Sequence, residues 1–129
     1  MSDNQPSGTG EADIGNDVLE RTTDRFEVDA GAVGDALVVV HSELIGRHAE
    51  LEREYDYATV DGTRAYRVPE RVWDDLFDEF EFDDAIADAV EFAHTEQARL
   101  AFADAVGVDE RFEDDDRGVV VGIDTAEEF

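Results

Sequence analysis

Few side chains in this sequence have acid–base or ligand chemistry once the abundant carboxylates are set aside. There are three histidines and no cysteine. His41 and His48 are seven residues apart. That spacing puts them on one flank of a helix but about 10.5 Å apart along its axis, too far to share a metal ion without a bend. Glu91-Phe92-Ala93-His94 has the Glu-x-x-His spacing that sets two ligands on one side of a metal in carboxylate-bridged bundles. Such sites need the motif twice plus two further Glu, and here it occurs once. Gln97 lies near the middle of the apolar stripe of the same segment, one turn beyond His94. A buried amide there must be hydrogen-bonded. Two readings follow. In one, His94 sits at the boundary of its stripe and Gln97 makes a structural hydrogen bond. In the other, His94, Glu91 and Gln97 line a pocket or metal site, with His41 or His48 supplied by a facing helix.

A second cluster combines arginine with aromatic rings. All three tyrosines and the single tryptophan fall between residues 55 and 73, together with Arg64, Arg67 and Arg71. Aromatics mixed with Arg make up the hot spots of protein interfaces. This nominates Tyr57, Arg64, Tyr66, Arg67, Arg71 and Trp73 as a partner-binding set. The structural alternative is that the tyrosines pack on helices while Asp56 pairs with Arg67 across two strands.

The periodicity of the chain says what must position these groups. Residues 1–12 are polar and aperiodic and read as a disordered tail, leaving one compact domain over 13–125. Asn16 is suited to cap a short helix over 17–27, with Val18, Leu19, Thr22 and Phe26 inward. Asp29 caps a long helix over 30–54, whose stripe is Val33, Leu37, Val40, Leu44, Leu51 and Tyr55. Gly31, Gly34 and Gly46 mark places in it for close backbone approach. The period then changes to two. Residues 55–60 and 63–68 flank Asp61-Gly62, which suits a type I′ hairpin turn, so Tyr57 faces Tyr66 and Asp56 faces Arg67. Pro69 ends the second strand and opens a helix over 70–80 carrying Val72, Trp73, Leu76, Phe77 and Phe80. Asp83 caps a second long helix over 84–106, with Phe82, Ile86, Ala89, Val90, Ala93 and Leu100 inward and Gly107 as its stop. An acidic loop over 109–117 leads to Gly118-Val119-Val120-Val121-Gly122-Ile123, a buried strand beside the hairpin. The expected fold class is α+β: four helices, two of them long and packed together, a hairpin and a short C-terminal strand.

Charge narrows the function classes. The 129 residues carry 36 Asp or Glu against ten basic residues, all Arg, for a formal charge of −26. That field repels phosphate and anionic lipid, which argues against nucleic-acid and membrane partners. The longest apolar run, Ala36 to Val40, is far short of the roughly 20 residues that span a bilayer. The opening residues lack the basic and apolar regions of a signal peptide, and with no cysteine the expected location is the cytoplasm. Leu, Ile, Val and Phe make up about a quarter of the chain, enough for a folded core. Within the acidity, residues 56–68 are neutral, because Asp56 and Asp61 balance Arg64 and Arg67.

In its all-arginine, Asp-rich composition the whole chain resembles the small acidic proteins of haloarchaea. The resemblance implies an environment, a cytoplasm at molar salt, and no activity. Lipase-type Ser motifs, phosphate loops and dinucleotide fingerprints are absent from the sequence. Asp114-Asp115-Asp116 lacks the spaced ligands and turn glycine of a calcium loop and reads as a solvated run. No cofactor is implied. The leading expectation is a non-enzymatic accessory or interaction domain with a protein partner. The alternative is a small metal- or ligand-binding protein, and a third, weaker reading is an acidic DNA mimic.

At molar salt the Debye length is about 3 Å, so exposed carboxylates scarcely sense one another, whereas in dilute buffer they repel. Dialysis below about 0.1 M salt is therefore expected to abolish the helical circular dichroism signal, and molar KCl to restore it. An unchanged cooperative fold in low salt would refute the salt-adapted reading.

Overall fold

The computed structural model describes residues 14–60, 63–105, 112 and 115–122. The fold is α+β, and the described residues form four helices and a three-stranded antiparallel sheet. Helix α1 spans Asn16–Phe26 and α2 spans Ala30–Glu54. Strands β1 (Tyr57–Val60) and β2 (Thr63–Pro69) form the hairpin, followed by α3 (Glu70–Phe77), α4 (Asp84–Asp104) and β3 (Asp116–Gly122). The sheet order is β1-β2-β3.

Several local expectations hold in detail. The Asp29 carboxylate accepts the Ala32 N–H at 3.0 Å and so starts α2. Tyr57 faces Tyr66, and the Arg67 N–H donates to the Asp56 carbonyl at 3.0 Å. Other expectations shift. Gly15, and not Asn16, is the N-cap of α1, and Asp83 precedes α4 without a side-chain cap bond. Asp116 and Arg117 belong to β3, because pairing with Pro69 and Val68 extends the strand two residues into the acidic run. The Asp61-Gly62 turn, Gly107 and Ile123 lie outside the described residues, as do residues 1–13 and Asp114.

The core is built from the helices and the sheet together. Trp73, Tyr66, Phe102, Leu37, Leu44 and Leu76 are its largest fully buried side chains. Register parity separates the two faces of the sheet. Tyr66 and Arg64 share one face, where they meet His48 and Glu52 of α2. Ala58, Ala65 and Val120 share the other, together with Arg67, whose guanidinium lies 5.4 Å from the Phe102 ring of α4.

Helix α4 buries Ala89, Val90 and Ala93 as expected, but its last turns depart from the expectation. Leu100 is 49% exposed, while Ala98, Ala101 and Phe102 are buried. The reason is distance. A Cβ on Gly118 would lie 2.3 Å from the Ala98 Cβ and 3.0 Å from the Thr95 Cα, so helix and strand touch almost backbone to backbone. Small residues must face that contact, and Leu100 is displaced to solvent. The expectation for the helix glycines is corrected by the same measure: nothing lies within 4 Å of where a side chain would start at Gly34 or Gly46, and only the neighbouring Asp29 carboxylate approaches Gly31. The close approach is at Gly118.

Gly118→Ala is accordingly expected to destabilise the fold by about 1–3 kcal/mol. Adding Ala98→Gly should recover part of the loss, read as thermal midpoints in molar KCl. Equal midpoints for the wild type and the single variant would contradict this contact.

Candidate functional site

Backbone direction decides what the histidines do. Arg67 directs its N–H to β1, so in β2 residues 63, 65 and 67 bond to β1 and the even residues bond to β3. In β3 the partners of those even residues are Arg117, Val119 and Val121. Gly118, Val120 and Gly122 must therefore point their backbone groups away from the sheet, into protein. A buried N–H without an acceptor costs about 1–3 kcal/mol.

Side chains from three helices supply the partners. The Gly118 N–H donates to Thr95 Oγ1 at 3.1 Å, and the Val120 N–H donates to His94 Nδ1 at 3.1 Å. The Gly122 N–H donates to His41 Nε2 at 3.2 Å. The Gly118 carbonyl accepts from Trp73 Nε1 at 3.1 Å. Two residues nominated for chemistry, His41 and His94, are thus brought to one strand edge as hydrogen-bond acceptors. The expectation that His94 sits at the boundary of its stripe is corrected: its ring is fully buried.

Acceptance at Nδ1 places the His94 proton on Nε2, which is buried without a hydrogen-bond partner. Trp73 packs on the ring at 5.1 Å. Burial, reinforced by nearby His41, pushes the His94 pKa down to about 3. The neutral imidazole is thus the form on which the edge depends.

The other ligand candidates are dispersed. His48 Nδ1 bonds the Tyr66 hydroxyl at 3.1 Å, and burial holds that hydroxyl above its ordinary pKa. Glu91 accepts Arg117 Nε at 2.7 Å; burial raises its pKa even so. Gln97 Oε1 accepts the Gly15 N–H at 2.9 Å, tying the start of α1 to α4. Among the described residues no group of three or more His, Asp or Glu is placed to hold a metal ion. A groove of about 630 Å³ does pass Glu91, Arg117 and Thr95. Its arginines are already engaged: Arg25 lies over Phe26 and Phe92, Arg99 over Phe112, and Arg117 against Glu91 and Glu70.

The arginine–aromatic set divides by burial. Tyr66 and Trp73 are fully buried, which removes them from any contact surface and corrects their nomination. Arg67 is paired with Asp56 at 2.8 Å. Tyr57 is 39% exposed, with the Arg64 guanidinium 4.4 Å from its ring. Arg64 is also paired with Glu52 and donates to Thr59 Oγ1 at 3.1 Å. Arg71 is exposed at the start of α3. Sequence reasoning missed Thr95 as a site residue, and missed the indole N–H of Trp73 as a backbone donor. The one available signal was the Gly-Val-Val-Val-Gly run, since a buried edge strand requires partners for its outer backbone groups.

His94 titrates near 6.5 when unfolded and near 3 when folded, so the unfolded chain takes up the proton first as pH falls. Its contribution to stability is complete above about pH 6.5 and declines by up to roughly 1.4 kcal/mol per pH unit below that. His94→Asn keeps an acceptor near the Nδ1 position and removes the titration. It should lower the thermal midpoint at pH 8 and flatten its fall between pH 6.5 and 4; parallel pH profiles would refute the role.

No helix among the described residues is long and apolar enough to cross a membrane. No curated protein and no solved structure matches the chain. Residues 12–123, which include every described helix and strand, match the family described as a domain of unknown function (DUF8048), and the chain belongs to it.

Proposed function

We propose that this domain is a non-catalytic protein-interaction module of a cytoplasm held at molar salt, of the kind haloarchaea maintain. Its contact surface is the outer part of the hairpin together with the start of α3. The observation that carries this reading is the exposed Tyr57 ring under the Arg64 guanidinium, within a hairpin whose residues 56–68 carry no net charge. Arg stacked on Tyr offers both apolar area and directed donors, the combination that anchors interfaces. Arg71 adds an exposed cation at the other end of β2. Partners in such a cytoplasm are themselves acidic, and the exposed Arg71 suits them.

Support also comes from the residues once assigned to chemistry. His41 and His94 accept strand N–H groups, Glu91 holds Arg117 and Gln97 holds Gly15. Each has a structural task that a ligand would have to displace, and the metal- or ligand-binding alternative is correspondingly weaker.

The test is capture at molar KCl from an extract of the source cells, comparing the wild type with Arg64→Glu/Arg71→Glu. Any specific partner should be lost from the double variant by about tenfold or more, with its circular dichroism unchanged. Equal recovery by both proteins would overturn this surface.

A further inference from the structure

The two edges of the sheet are treated in opposite ways. On β3 the outward N–H groups of Gly118, Val120 and Gly122 and the Gly118 carbonyl are taken up by Thr95, His94, His41 and Trp73. On β1, the parity that turns Asp56, Ala58 and Val60 toward β2 turns the backbone of Tyr57 and Thr59 outward. No described residue bonds to those outward groups, and both residues are exposed. Natural proteins blunt such an edge with charge, proline or a bulge. Tyr57-Ala58-Thr59-Val60 has no charge and no proline, in a chain of which 36% is charged, and its pairing with β2 runs residue for residue.

We infer that β1 is a dimerisation edge, pairing antiparallel with β1 of a second copy of this chain across a two-fold axis. The register that uses the outward groups sets Tyr57 opposite Thr59 of the second copy, and Thr59 opposite its Tyr57. Each of these two pairs exchanges two N–H···O bonds. Ala58 then falls on the axis in a non-hydrogen-bonded pair, where antiparallel strands come closest, at about 4.5 Å between Cα atoms. The smallest side chain of β1 occupies the tightest position. Electrostatics selects a second copy over an arbitrary acidic strand. Two bodies of charge −26 repel least where they present neutral surface, and residues 56–68 carry no net charge. The result is a continuous six-stranded sheet with both Tyr57–Arg64 stacks on one face. This inference rests on the backbone edge and is independent of the arginine contacts proposed above.

Sedimentation equilibrium of the full chain in molar KCl tests it, together with amide hydrogen exchange. The wild type is expected at twice 14.3 kDa, with the Tyr57 and Thr59 amides protected. Thr59→Pro removes an outward N–H that the β1–β2 ladder does not use. It should weaken self-association by about a hundredfold while leaving the helical signal intact. A monomeric wild type with freely exchanging Tyr57 and Thr59 amides would overturn the inference. So would a dimer that persists in Thr59→Pro, since its interface lies elsewhere, or protection that arises only when a different protein is added. The arginine double variant should still dimerise, so failure of the partner reading and failure of this one are separable.

Discussion

The fold depends on how the outer backbone edge of β3 is satisfied. That strand is buried along Gly118–Gly122, so its outward N–H groups cannot use water. Three side chains accept them and a fourth donates to the Gly118 carbonyl, and these come from α2, α3 and α4. The hydrogen bonds therefore do what a fourth strand would do, and they also fix how the helices sit against the sheet. A shift of α4 by one residue would remove both the His94 and Thr95 bonds and drive a side chain into Gly118. Imidazole suits the task because a neutral ring offers an sp² acceptor within a large, mostly apolar body. The arrangement has a standing cost in the unpartnered Nε2–H of His94.

Packing and electrostatics are consistent with that anchor. The alanines of α4 allow it to lie close to β3, and Phe102 extends the contact to Arg67 of β2. Arginines near the surface hold neighbouring elements by pairing across them: Arg64 with Glu52, Arg117 with Glu91 and Glu70, and Arg47, which also pairs within its own helix with Glu43, with Glu79. Exposed pairs of this kind contribute only about 0–1 kcal/mol each, and less at high salt. In a chain of charge −26 they are better understood as local relief from repulsion than as the source of stability.

The two candidate sites were legible to different degrees. The hairpin register could be read because alternation and Asp-Gly are local signals, and Tyr57 opposite Tyr66 followed from it. Which tyrosine is exposed could not be read, since that depends on which of them a distant helix covers: His48 of α2 meets Tyr66, while Tyr57 stays 39% exposed. His41 and His94 were recognisable as unusual, yet their spacing suggested ligands. Their actual partners, Gly122 and Val120, are 81 and 26 residues away, and no local pattern encodes a side-chain bond to a distant strand edge. Leu100 was misplaced because hydropathy ranks leucine above alanine, whereas the close approach to Gly118 admits only small residues.

By itself the sequence determined the element order, the α+β class and the hairpin pairing, because caps, turn dipeptides and periodicity act over a few residues. It also determined the charge and its gap over residues 56–68. Only the tertiary structure decided that His41 and His94 accept strand N–H groups, that the outward groups of β1 meet no described residue, and which arginines remain at the surface. Those outcomes depend on the directions of backbone groups after strands have paired and helices have docked, and that geometry exists only once distant segments meet.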